Sequence, residues 1–168
     1  DFSVRNMRFG RLEVQANNDG NGWNLNRVAV SNPYGSLTGK GSWIQSDGTS
    51  RTQLNFKVDS NNVGELLARF GYPGTVRDGT ADLDGNLAWN GAPTELDYAS
   101  MNGEMNLKAA KGQFLKHDPG AAGKLLGLIS LQNLPRRIAL DFKDVFSDGL
   151  VFDAIDGKVD VQHGVMHT

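Results

Sequence analysis

The chain has 168 residues, with 17 basic against 19 acidic side chains, a formal net charge of −2, no cysteine and 21 glycines. So even a balance leaves no electrostatic footprint for nucleic acid and no lysine–arginine cluster of the kind that reads anionic lipid. The missing cysteines exclude thiolate zinc sites, iron–sulfur ligation and cysteine nucleophiles. No stretch reaches the roughly 18 consecutive apolar residues that a membrane-spanning helix needs. The length suits one β-rich unit, residues 1–168. It reads as an excerpt of a longer chain, because Asp1, Phe2, Ser3 and Val4 already look like a strand with no basic or apolar leader before them.

The first distinctive segment in chain order is Asn17-Asn18-Asp19-Gly20-Asn21-Gly22. It imitates the front of a calcium loop, but Val28 stands where a bidentate glutamate is required. Because it lies between two strand patterns, the expectation is a hairpin loop. Leu54, Phe56 and Val58 then alternate with Asn55 and Lys57, the period of a strand with one apolar face. A helix is predicted over about 61–70. Asn62 and Glu65 have capping-box spacing, Val63, Leu66, Leu67 and Phe70 form one stripe, and Gly71 and Pro73 stop it.

Strand alternation resumes with Ala81, Leu83, Leu87 and Trp89 against Asp82, Asp84 and Asn86, and again with Met101, Met105 and Leu107 against Asn102, Glu104 and Asn106. The pairs Asp84-Gly85, Asn102-Gly103 and Asp156-Gly157 read as turns or bulges between short strands. A second helix is predicted over about 119–131, capped by Asp118 with Pro119 in its first turn. Leu125, Leu126 and Ile129 lie on its apolar arc, while Gly123 and Gly127 leave its back nearly bare. After Pro135, Ile138, Leu140 and Phe142 alternate with Arg137, Asp141 and Lys143, and Val159 and Val161 close the series.

Catalytic and metal chemistry find little support. His163 and His167 are four apart in a strand and hairpin rather than on a helix, and His117 stands alone. Asp82 and Asp84 share the polar parity of one strand, about 6.5–7 Å apart, a spacing open to an inverting glycosidase pair. Asp97 is a further candidate carboxylate, but no aromatic cluster accompanies any of them. There is no nucleophile elbow, phosphate loop or dinucleotide fingerprint. No catalytic residue, metal site or cofactor is expected. What remains is the apolar parity of consecutive strands, with two short helices to cover it. Either the sheet closes on itself or it leaves an apolar trough suited to acyl chains.

Val63-Gly64-Glu65-Leu66-Leu67-Ala68-Arg69-Phe70-Gly71, Leu87-Ala88-Trp89-Asn90-Gly91-Ala92-Pro93, Leu125-Leu126-Gly127-Leu128-Ile129-Ser130-Leu131, Leu134-Pro135-Arg136-Arg137, Leu140-Asp141-Phe142 and Gly149-Leu150-Val151-Phe152-Asp153 follow one another in an order and spacing that resembles the C-terminal region of AsmA-like proteins. The resemblance covers roughly residues 35–168. It implies a segment of a long periplasmic β-rich bridge in Gram-negative bacteria, anchored in the inner membrane by an N-terminal helix. It also implies a groove that carries phospholipid towards the outer membrane and supports the barrier there. No catalytic residues come with it.

On that basis the expected fold is mainly β: a curved, twisted antiparallel sheet forming an apolar groove, with two short helices. The groove lining falls on the alternating positions Leu54, Phe56, Val58, Leu83, Leu87, Trp89, Met101, Met105, Leu107, Ile138, Leu140 and Phe142. Helix 119–131, through Leu125, Leu126 and Ile129, would lid that groove. The alternative is a closed-core structural module that docks an envelope protein partner through the same helix.

Overall fold

Among the described residues each strand pairs only with its sequence neighbours, so one antiparallel sheet of nine strands runs in chain order. The computed structural model describes residues 2–4, 7–20, 22–46, 48–115, 149 and 151–167. Its strands are β1 (Phe2–Val4), β2 (Met7–Asn18), β3 (Gly22–Asn32), β4 (Gly35–Ser46), β5 (Thr49–Ser60), β6 (Val76–Asn90), β7 (Asn102–Phe114), β8 (Val151–Gln162) and β9 (Val165–His167). Helix α1 (Val63–Arg69) lies between β5 and β6, and a 3-10 turn (Tyr98–Ser100) lies between β6 and β7. The second predicted helix, 119–131, and the strand expected at Ile138, Leu140 and Phe142 fall outside the described residues.

Local chemistry explains the connections. In the β2–β3 hairpin, Asp19 accepts the Gly22 N–H through Oδ1 (3.1 Å) and the Asn24 side-chain amide through Oδ2 (2.9 Å). Asn18 accepts from the Gly20 N–H at 2.8 Å. The Asp19 carboxylate that imitates a calcium ligand in sequence is thus one of the turn's own hydrogen-bond acceptors. Helix α1 begins where expected, with the Asn62 side chain accepting the Glu65 N–H at 3.0 Å. It ends before Gly71, whose φ is +87°.

The helix lies across one end of the sheet, packed on β6 and touching β2. Leu66 is buried, the Phe70 ring stands 5.2 Å from that of Phe9, and Phe9 stands 5.8 Å from Phe2. The Arg69 guanidinium covers the Tyr34 ring at 5.2 Å and donates to the Arg8 carbonyl at 3.2 Å.

The glycine reading is corrected. Gly85 and Gly157 lie inside β6 and β8 and do not separate short strands, while Asn102-Gly103 opens β7 directly after the β6–β7 connection. Strands β2 to β8 are 11–15 residues long, about twice the usual five or six. At Gly85, in the middle of β6, and at Gly103, near the start of β7, the neighbouring chain comes too close for a side chain. A Cβ at Gly85 would collide with the Glu104 carbonyl oxygen, and one at Gly103 with that of Asn86.

A closed core occupies only part of the sheet. Trp89, Met101, Val159 and Val161 are buried together, and Leu54, Leu87 and Met105 pack against them. The segment after β6 closes this quarter. The Trp89 indole N–H donates to the Ala92 carbonyl (3.1 Å), Thr52 Oγ1 donates to the Gly91 carbonyl (2.8 Å), and the Asn90 N–H donates to Ser100 Oγ (2.9 Å).

Candidate functional site

Residues directly opposite on paired strands share a face of the sheet, so the register shows where the alternating apolar residues meet. One line of partners runs Leu12, Val30, Leu37, Val58, Leu83, Leu107, Gly157 from β2 to β8. The next runs Val14, Val28, Gly39, Phe56, Gly85, Met105, Val159, and a third Ala16, Leu25, Gly41, Leu54, Leu87, Gly103, Val161. Seven adjacent strands thus carry a single apolar face, about 29 Å across at the usual strand spacing.

This face is only partly covered. Leu37, Phe56, Val58, Leu83 and Leu107 are half-buried, while Leu12 and Val14 are 38% and 54% exposed, so the face stays open towards β2. Phe56 lies between Gly39 and Gly85 on the two flanking strands, and its ring is the bulky group of that line.

The opposite face is charged and internally paired. Lys57 Nζ lies 2.9 Å from Asp59 and 3.6 Å from Asp82. Lys158 pairs with Glu104 at 3.2 Å, and the Asn106 amide donates to Asp84 at 3.0 Å. The hydrogen bond from the Lys57 ammonium holds the Asp59 carboxyl below its ordinary value, and the same contact raises Lys57. Asp82 and Asp84 therefore serve a solvated, cross-linked sheet surface. Asp97 caps the 3-10 turn by accepting the Ala99 N–H at 3.2 Å. His163 lies in the β8–β9 turn with φ of +50°, and both it and His167 are exposed.

Among AsmA-like proteins, the order of segments points most closely to YhdP. The family model described as YhdP protein matches residues 1–168. The chain belongs to the YhdP family. It is 31% identical over 162 residues to the intermembrane phospholipid transporter YhdP of Escherichia coli strain K12, over 96% of this chain and 13% of that protein. It therefore spans about an eighth of that relative's length. No solved structure matches it.

In this YhdP-family chain, the described positions proposed from sequence as lining all fall on or beside the one apolar face. They divide into two groups. Trp89 and Met101, at 4% and 7% exposure, belong to the closed core. Leu54, Leu87 and Met105 border it, and Phe56, Val58, Leu83 and Leu107 lie beyond. Ile138, Leu140, Phe142 and the helix residues Leu125, Leu126 and Ile129 fall outside the described residues. Sequence reading missed Leu12, Val14, Val28, Val30 and Leu37, which carry the face to its open side. Extra residues between Leu25 and Val28 break the period of two in β3, so its apolar positions switch parity from Trp23 and Leu25 to Val28 and Val30. Leu12 and Val14 still alternate with Glu13 and Gln15, the signal that could have found them.

Proposed function

We propose that this segment carries phospholipid acyl chains along the apolar face of its sheet. It does so as one stretch of a periplasmic bridge between the inner and outer membranes, in a parent chain anchored in the inner membrane, and so supports the outer-membrane barrier. The observation that carries the reading is the unbroken apolar face of β2–β8, left half-exposed in a chain whose YhdP relative is a phospholipid transporter.

An exposed apolar surface of this breadth marks an interaction site. Acyl chains suit it because they bring no hydrogen-bonding groups. The backbone donors and acceptors behind the face are already paired in the strand ladders. Each Å² of hydrocarbon taken out of water on such a wall contributes about 25 cal/mol. Moving an intact lipid breaks no covalent bond, so the reading needs no nucleophile, general base or metal, and the segment acts without catalysis.

The test uses the full-length protein. Native mass spectrometry of the purified wild type should show bound phospholipid. Phe56→Asp and Leu107→Asp each place a charge on the open part of the face, where hydrocarbon cannot solvate it, and should deplete that lipid and raise outer-membrane permeability. Asn55→Asp, one residue away on the polar face, should do neither. Circular dichroism confirms that each variant is folded. Lipid-free wild type, or folded Phe56→Asp and Leu107→Asp variants with an intact barrier, would sink the proposal.

A further inference from the structure

The two ends of the strands differ in chemistry. The β2–β3, β4–β5, β6–β7 and β8–β9 connections lie at one end, and α1 and the β3–β4 turn lie at the other. All three tryptophans of the chain fall in one cross-strand line at the first end. Trp23 faces Trp43, Trp43 faces Thr52, and Thr52 faces Trp89. At the second end the aromatic cluster is Phe2, Phe9 and Phe70, with Tyr34 under the Arg69 guanidinium and no tryptophan.

The distinction is physical. Phenylalanine has no polar atom. Indole joins a large apolar body to a single N–H donor, so tryptophan settles where hydrocarbon meets water or a headgroup layer. The structure shows which way the polar side faces. Trp43 Nε1 donates to Ser50 Oγ at 2.6 Å, and Trp89 Nε1 donates to the Ala92 carbonyl at 3.1 Å. Both acceptors lie between the tryptophan line and the hairpin tips. Trp23 is 43% exposed, so its side of the line is open to solvent. From Thr52 to Val58, six residues down β5 and about 20 Å at strand rise, the residues on this face are Leu54, Phe56 and Val58, with no polar side chain among them.

From this gradient we infer that the Trp23–Trp43 line is the headgroup boundary of the lipid path. The glycerol and phosphate groups of a bound phospholipid lie at that line, and its acyl chains run along the strands towards Val58, Leu83 and Leu107. The inference rests on the lipid-carrying reading above and adds an orientation to it. The tryptophan-bearing lip is the wet lip.

Photo-crosslinking of the wild-type full-length protein tests it without a variant that could misfold. Two phospholipid probes are used, one with a diazirine on the headgroup and one with a diazirine at the acyl-chain end, and adducts are mapped by peptide mass spectrometry. The headgroup probe is expected on residues 23 and 43–46, and the acyl probe on Val58, Leu83 and Leu107. Reversed labelling, or equal labelling of both zones by both probes, overturns the orientation and leaves the lipid-carrying reading standing. Loss of labelling from the whole face with both probes overturns the two together.

Discussion

Trp89 shows how much a single side chain can organise here. It is 4% exposed, donates its N–H to Ala92, and faces the fully enclosed Thr52. Trp89→Ala should cost about 3–5 kcal/mol, from lost burial and the cavity left behind, measurable as a lower denaturant midpoint. Asn62→Ala removes the acceptor that caps α1 and should cost about 1 kcal/mol in the same assay. The Lys57–Asp59 pair is exposed and contributes little to stability, but its titration is readable. Because the folded carboxyl lies below its ordinary value, the contribution is present above the unfolded value of about 3.9. It is lost as the pH falls through the folded value. Lys57 has the opposite sense: its raised value gives a contribution present below the unfolded value and lost as the pH rises through the folded one. In Lys57→Ala the Asp59 midpoint should move upward by NMR titration, and about 1 M salt should shrink the difference.

Among the elements, the strands depend on their glycines in a way that reverses an ordinary expectation. Glycine in a strand interior normally costs about 0.5–1 kcal/mol relative to alanine, so Gly→Ala commonly stabilises. At Gly41 an added Cβ would collide with the Gln53 carbonyl oxygen, and at Gly103, with φ of +151°, with that of Asn86. Gly41→Ala and Gly103→Ala should therefore lower the melting temperature, and a rise in either would show that the strands can part to admit a methyl group. Helix α1 and the β2–β3 hairpin were legible in sequence because a cap, an apolar stripe and an Asn/Asp/Gly cluster are local signals. Gly85 was misread as a turn or bulge between strands because its cause, a carbonyl on the neighbouring strand, is not local.

For the whole molecule, a meander of long strands leaves one side of β2–β8 without a complete second layer among the described residues, where α1 and the segment after β6 cover its ends. A ligand that binds this folded face stabilises it by mass action, about 2.7 kcal/mol at a hundredfold excess over Kd. Added short-chain phospholipid should accordingly raise the melting temperature of the wild type, and Phe56→Asp should abolish that dependence while Asn55→Asp keeps it.

The sequence by itself determined the parity of β5 to β8, the α1 cap and stop, the polar dressing of Asp82 and Asp84, and the family likeness. All but the likeness, which rests on the order of segments along the chain, are written in residues a few positions apart. Only the tertiary structure decided that parities from seven strands align into one face, that Gly39 and Gly85 flank Phe56, that three distant tryptophans form one line, and that Trp89 and Met101 close into a core while Phe56 and Leu107 do not. A side chain's face follows from the pleat of its own strand. Its neighbours follow from register between segments tens of residues apart, and extra residues such as those in β3 shift that register.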